Sequence, residues 1–132
     1  MNLPSFPIRT ECPPGACVCE REALLAAPHG DLRVLRLTRA EELRLVERLE
    51  NLASLADLRR IEARMADQLG IHLRITASPN EVRSLRGIVI LVLEQPGLCK
   101  KTRQAIPSAI RRRMERVPQI AFDLLDEDGL FG

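Results

Sequence analysis

The chain has 132 residues, 45% apolar and 29% charged, with a formal net charge of +2, a profile that suits one globular domain able to bury its own core. So small a net charge sets up no long-range field toward polyanions, and three Phe with no Trp or Tyr leave almost nothing on which single-stranded bases would stack. The longest apolar run, Ile88 to Leu93, falls far short of the roughly 20 residues that cross a bilayer.

Met1 to Thr10 holds two prolines and no periodicity, which predicts an extended arm. It lacks the basic start and apolar run of a secretory signal, so the expected compartment is the cytoplasm. A cysteine-rich loop follows, Cys12-Pro13-Pro14-Gly15-Ala16-Cys17-Val18-Cys19. Glu20 to Ala27 has the length of two helical turns and is stopped by Pro28 and Gly30. Leu32 to Leu37 partly alternates and reads as a short strand.

Thr38-Arg39-Ala40-Glu41 is a capping box, with Glu41 placed to reach back to the Thr38 amide. Leu43, Leu45, Val46, Leu49 and Leu52 supply the apolar face of the helix it opens. A second start at Ser54 leads into Leu58, Ile61, Met65 and Leu69 at helical spacing, and Gly70 is placed to end that helix. A helical hairpin over Thr38 to Leu69 is therefore predicted. Ile71 to Thr76 alternates as a strand with Ile71, Leu73 and Ile75 on one face, broken by Ser78-Pro79-Asn80. Ile88 to Leu93 is expected to be a central strand buried on both faces, closed by a turn at Gln95-Pro96-Gly97-Leu98. Pro107 suits the first turn of a helix with Ile110, Met114 and Val117 as its stripe. Pro118 interrupts it, and Ile120, Ala121, Leu124 and Leu125 mark a last helix before the acidic Asp126-Glu127-Asp128. The expected fold is a single α+β domain over 1–132. It has a Cys-bearing arm (1–19) and a core (20–132) of about three strands covered by the hairpin and the C-terminal helices.

All four cysteines belong to one pattern: Cys12, Cys17 and Cys19 in the loop, and Cys99 just after Pro96-Gly97. Pro13-Pro14-Gly15-Ala16 matches a type II turn, which needs positive φ at its glycine, and would draw Cys12 toward Cys17. In a reducing cytosol such a set points to metal or redox chemistry before disulfides. Four thiolates on two turns suit a closed structural zinc site, with a [2Fe–2S] cluster as the alternative. Cys17-x-Cys19 is tighter than a zinc knuckle. The layout is also one residue short of the Cys-x4-Cys-x2-Cys of plant-type ferredoxins, of which nothing else is present. Arg9, Arg21, Lys100, Lys101 and Arg103 lie close in sequence to the cysteines and would favour thiolates. Ordinary buried thiols, a thiol switch and disulfides are the competing readings.

From Cys99 to Arg116 there are seven cations (Lys100, Lys101, Arg103, Arg111, Arg112, Arg113 and Arg116) against one anion, Glu115. This is the candidate surface for nucleic-acid phosphates or an acidic protein partner. The competing reading is a solvated helix face partly neutralised by Asp123, Asp126, Glu127 and Asp128. His29 and His72 are possible substitute ligands. With no His-Glu-x2-His, phosphate-cradling glycine loop or Gly-x-Ser-x-Gly, an enzyme is not expected. The sequence thus points to a small metal-binding interaction protein, with a redox or sensor protein as the alternative.

Overall fold

A computed structural model describes residues 7–9, 19–77 and 87–127. Among them the chain forms α1 (Arg21–Ala26), a 3-10 turn (Arg33–Arg36), α2 (Arg39–Leu49) and α3 (Leu55–Leu69). The strands β1 (Leu73–Ala77) and β2 (Ile88–Val92) follow, then α4 (Lys100–Arg116) and α5 (Pro118–Glu127). This is a mixed helix and sheet architecture. No described helix is long and apolar enough to cross a membrane. The break at Ser78-Pro79-Asn80 lies outside the described residues.

The helical hairpin is built by its caps. Thr38 Oγ1 accepts the Glu41 N–H at 3.4 Å, but the Glu41 carboxylate turns to Arg44 at 2.5 Å, so only half of the capping box forms. Ser54 Oγ accepts the Asp57 N–H at 3.1 Å and opens α3, and Gly70, at φ +68, closes it in the left-handed conformation that glycine adopts without strain. On α2 the inward stripe is Glu42, Leu45, Val46 and Leu49. Leu43 lies about 100° round the helix from Glu42, and this is why it is 60% exposed rather than part of the apolar face. Glu42 is tied to α4 by the Thr102 hydroxyl, which donates to it at 2.9 Å.

Three expectations are corrected. Leu32 to Leu37 contains no strand: Leu35 N–H donates to Leu32 and Leu37 N–H to Val34, so residues 33–36 make a 3-10 turn. Val34, Leu35 and Leu37 are buried while Arg33 and Arg36 are exposed, a three-residue period that an alternating strand cannot provide. The exposed Arg33 forks onto Asp31 at 2.8 and 3.0 Å and donates to the Asp67 carbonyl at the end of α3 at 2.9 Å. Its hydrogen bond holds the Asp31 carboxyl below the usual carboxylate range.

Second, β2 is buried on one face only. It pairs antiparallel with β1 in the register Ile75 to Ile90, and α4 packs against it, burying Ile88, Ile90 and Val92 while Val89 is 41% and Leu91 50% exposed. A continuous apolar run does not reveal whether one or two faces will be covered. Among the described residues the sheet has two strands, not three.

Third, Pro107 sits inside α4 rather than in a first turn. The helix already begins at Lys100, and buried Thr102, Ile106, Ala109 and Ile110 hold its two halves on one packed face. Packing here outweighs the lost hydrogen bond of the proline. Leu124 and Leu125 of α5 then join Leu58, Ile61 and Met65 of α3 in the same core.

Candidate functional site: a cysteine and arginine junction

Gln95 to Leu98 leaves β2 in the turn expected, the Leu98 N–H donating to the Gln95 carbonyl at 3.3 Å. Gly97 has φ +88, the value that the third position of a type II turn requires. Two residues on, Cys99 is the N-cap of α4 and is fully buried. The same turn receives the N-terminal segment. Gly97 N–H donates to the Cys19 carbonyl at 2.5 Å, and the Arg9 guanidinium donates to the Gly97 carbonyl at 2.5 Å. Through the same Nη2, Arg9 also donates to Cys19 Sγ at 3.5 Å, while its backbone N–H is held by the Leu35 carbonyl at 2.6 Å. One glycine thus joins Arg9, Cys19 and the approach to Cys99.

The electrostatics of this junction are unusual. Arg9 is only 6% exposed, and among the described residues no carboxylate pairs with it. Burying a guanidinium without an anion is costly. The Arg9 Nε and the Arg21 Nη1 are moreover buried with no hydrogen-bond partner, and native proteins seldom leave such donors unsatisfied. Between these arginines in sequence, Glu20 caps α1 at φ 59, the one described non-glycine residue with positive φ. Backbone strain of this kind persists only where surrounding structure imposes it. Cys99 meanwhile lies at the positive end of a 17-residue helix. Both described cysteines are buried, and the sulfur of Cys19 accepts from the Arg9 guanidinium.

Of the four candidate ligands, Cys19 is bonded to the Gly97 turn through its carbonyl and Cys99 follows that turn by two residues. Cys12, Cys17 and the Pro13 to Ala16 turn lie outside the described residues. Among the described residues no group of three or more His, Cys, Asp or Glu is placed to hold a metal. His29 and His72 are both exposed, and His72 lines a cleft with Glu20, Gln95 and Pro96. Lys100, Arg103 and Glu94 line a cleft that opens beside Cys19.

The seven cations of the basic segment are not one open surface. Arg103 pairs with Glu94 at 2.9 Å and Arg112 with Glu50 at 3.1 Å. Arg111 donates to the Ile88 carbonyl at 2.7 Å, Arg113 to the Leu52 carbonyl at 2.8 Å. These four link α4 to β2 and to the end of α2; Lys100, Lys101, Arg112 and Arg116 are exposed, Arg112 in a surface pair. Of the tail acids expected to neutralise the segment, Glu127 pairs with Arg59 at 3.5 Å and Asp123 accepts from Gln119 at 2.7 Å; Asp128 lies outside the described residues.

No protein-family model, curated protein or solved structure matches this chain significantly.

Proposed function

We propose that the chain is a non-catalytic metal-binding interaction protein of a reducing compartment such as the cytoplasm. Cys12, Cys17, Cys19 and Cys99 are its ligands. A structural zinc ion fits them best and would pin the N-terminal arm (1–19) against the start of α4. The observation that carries this reading is the buried Arg9 guanidinium with Cys19 Sγ and a carbonyl as its hydrogen-bond acceptors and an orphaned Nε. A zinc ion bound by four thiolates carries excess negative charge, and a buried guanidinium against one of its sulfurs supplies the matching positive charge. An uncharged thiol gives Arg9 no such compensation. Protein or nucleic-acid partners would meet the exposed Lys100, Lys101 and Arg116 at the two ends of α4. Arg103, Arg111, Arg112 and Arg113 would then serve mainly to fix that helix.

Arg9→Met tests the electrostatic part. Methionine fills much of the same volume without charge, so the variant keeps the packing while removing the positive partner of the sulfurs. The expected outcome is a folded variant whose zinc affinity is at least about tenfold weaker, the scale of a lost partner in the outer shell of a metal site, with a urea midpoint lowered to match because binding to a structural site is part of the folding free energy. Competition against a chromophoric chelator measures it. Unchanged affinity in the folded variant would show that Arg9 only packs. Iron with visible absorption, in place of zinc, would move the reading to a [2Fe–2S] redox or sensor protein.

A further inference from the structure

Between α2 and α3 lies a groove of about 560 Å³, lined also by Pro7 of the N-terminal segment. Its floor is apolar: Leu37, Ile61 and Met65 at the base, with Leu45 and Leu69 half-buried above them. Its rim carries four arginines, Arg36, Arg44, Arg48 and Arg64, and a single carboxylate, Glu41. Glu41 is already engaged by Arg44 at 2.5 Å. Arg48 is set rigidly by its fork onto buried Asp57, and two of its five N–H groups are used there. Arg44 has a side chain 73% exposed and Arg64 is exposed.

We infer that this groove is a docking site for an acidic amphipathic helix of a protein partner. The apolar floor takes the leucine-like face of such a helix, as in helix-in-groove recognition, and the arginine rim takes its flanking carboxylates. The lining runs from Ala40 to Arg48 on α2 and from Ile61 to Leu69 on α3, roughly 12 Å along each helix at 1.5 Å per residue. That length matches about two turns of a partner helix. Nucleic acid is disfavoured here, because a phosphate backbone has no use for a leucine and methionine floor. The inference does not depend on the metal; it adds the helical hairpin to α4 as a partner surface, with Arg44 and Arg48 of the rim held within the chain as the α4 arginines are.

The test uses the full chain and a fluorescein-labelled peptide of about fourteen residues. The peptide is made of Leu, Glu and Ala, with leucines at helical i, i+3, i+4 and i+7 spacing, and anisotropy reads its binding. Saturable binding is expected, weakened by added salt and reduced at least tenfold by Arg44→Glu together with Arg64→Glu. Both side chains lie on the surface, so circular dichroism should show the variant folded. Lys100→Ala with Lys101→Ala should leave the affinity within about twofold. The inference is overturned if the peptide does not bind, if a lysine version binds equally well, or if the charge reversals have no effect. Displacement by a short RNA duplex would assign the rim to phosphates instead. A dimer that Arg44→Glu dissociates would assign the groove to a second copy.

Discussion

Gly97→Ala is expected to lower the free energy of unfolding by about 3 kcal/mol, roughly 1 kcal/mol from holding alanine in the left-handed region and roughly 2 kcal/mol from overpacking. The residue has φ +88, and a Cβ there would stand 2.7 Å from Leu24 Cδ2 and 2.8 Å from Val34 Cγ1. Both are core side chains, and the branched valine, fully buried, has few other rotamers to adopt. Shifting the turn instead would separate the Gly97 amide and carbonyl from Cys19 and Arg9, whose bonds hold the junction. Gly70→Ala is the control. It too has positive φ, +68, but its new Cβ meets the ends of Asp31 and Arg33, exposed side chains that can swing aside, so about 1 kcal/mol is expected. Urea denaturation of both variants gives the comparison. Equal losses would show that Gly97 is required for its backbone alone and that the junction is looser than described.

Asp57→Asn should cost about 2 kcal/mol, the scale of a lost charge-assisted hydrogen bond. Asp57 is 4% exposed and uses both oxygens: Oδ2 accepts from Arg48 and from the Ala53 N–H, each at 2.9 Å, and Oδ1 accepts from Arg48 at 2.5 Å. An asparagine must turn its NH2 toward one of these donors, so one bond becomes a repulsion. Arg48 is 43% exposed and recovers some solvation, which keeps the cost below that of a fully buried pair. The same carboxylate shapes the acid limb. Arg48 first, and the Ala53 amide next, hold the Asp57 carboxyl below the usual carboxylate range. Its folded pKa is thus lower than its unfolded one, near 3.9. The stabilisation is complete above the unfolded value and is lost as pH falls through the folded value. Stability of the parent chain should hardly respond to this group above about pH 5 and should fall below about pH 4. In Asp57→Asn that part of the acid limb should be missing, leaving the contribution of Asp31, whose carboxyl is likewise depressed.

Much of this architecture was legible wherever local signals were redundant. Ser54 with Asp57, and Gly70 at the far end, bracket α3 with two independent caps, and both act as their residue types suggest. Thr38 caps α2 as its residue type suggests, whereas the Glu41 carboxylate goes to Arg44, one turn along, instead of the Thr38 amide. The misread stretches share a cause: their conformation is set by what packs on them. Leu32 to Leu37 looks like a strand until Arg33 is seen capping α3 and Leu35 receiving Arg9. The run at Ile88 does not disclose that α4 covers one face only. Pro107 appears to start a helix because the packing that carries α4 past it is tertiary.

The site was legible in the same partial way. The Pro96-Gly97 turn before Cys99 could be read directly from residue types. Arg9 could be named as a nearby cation, but its burial against Cys19 depends on a contact across 88 residues to Gly97. The arginine rim between α2 and α3 left only a faint trace in sequence, Arg44 and Arg48 one turn apart. Its other members come from separate elements, which no spacing rule connects.

The measurement that bears most directly on the central claim is a metal analysis with an absorption spectrum on the full chain purified without air. The chain has no Trp or Tyr, so a cofactor band would stand clear of the protein. About one zinc per chain is predicted, colourless and inert to dithionite, with the metal lost and the arm released in Cys99→Ser. A metal-free protein in which all four thiols titrate with ordinary reagents would contradict the account.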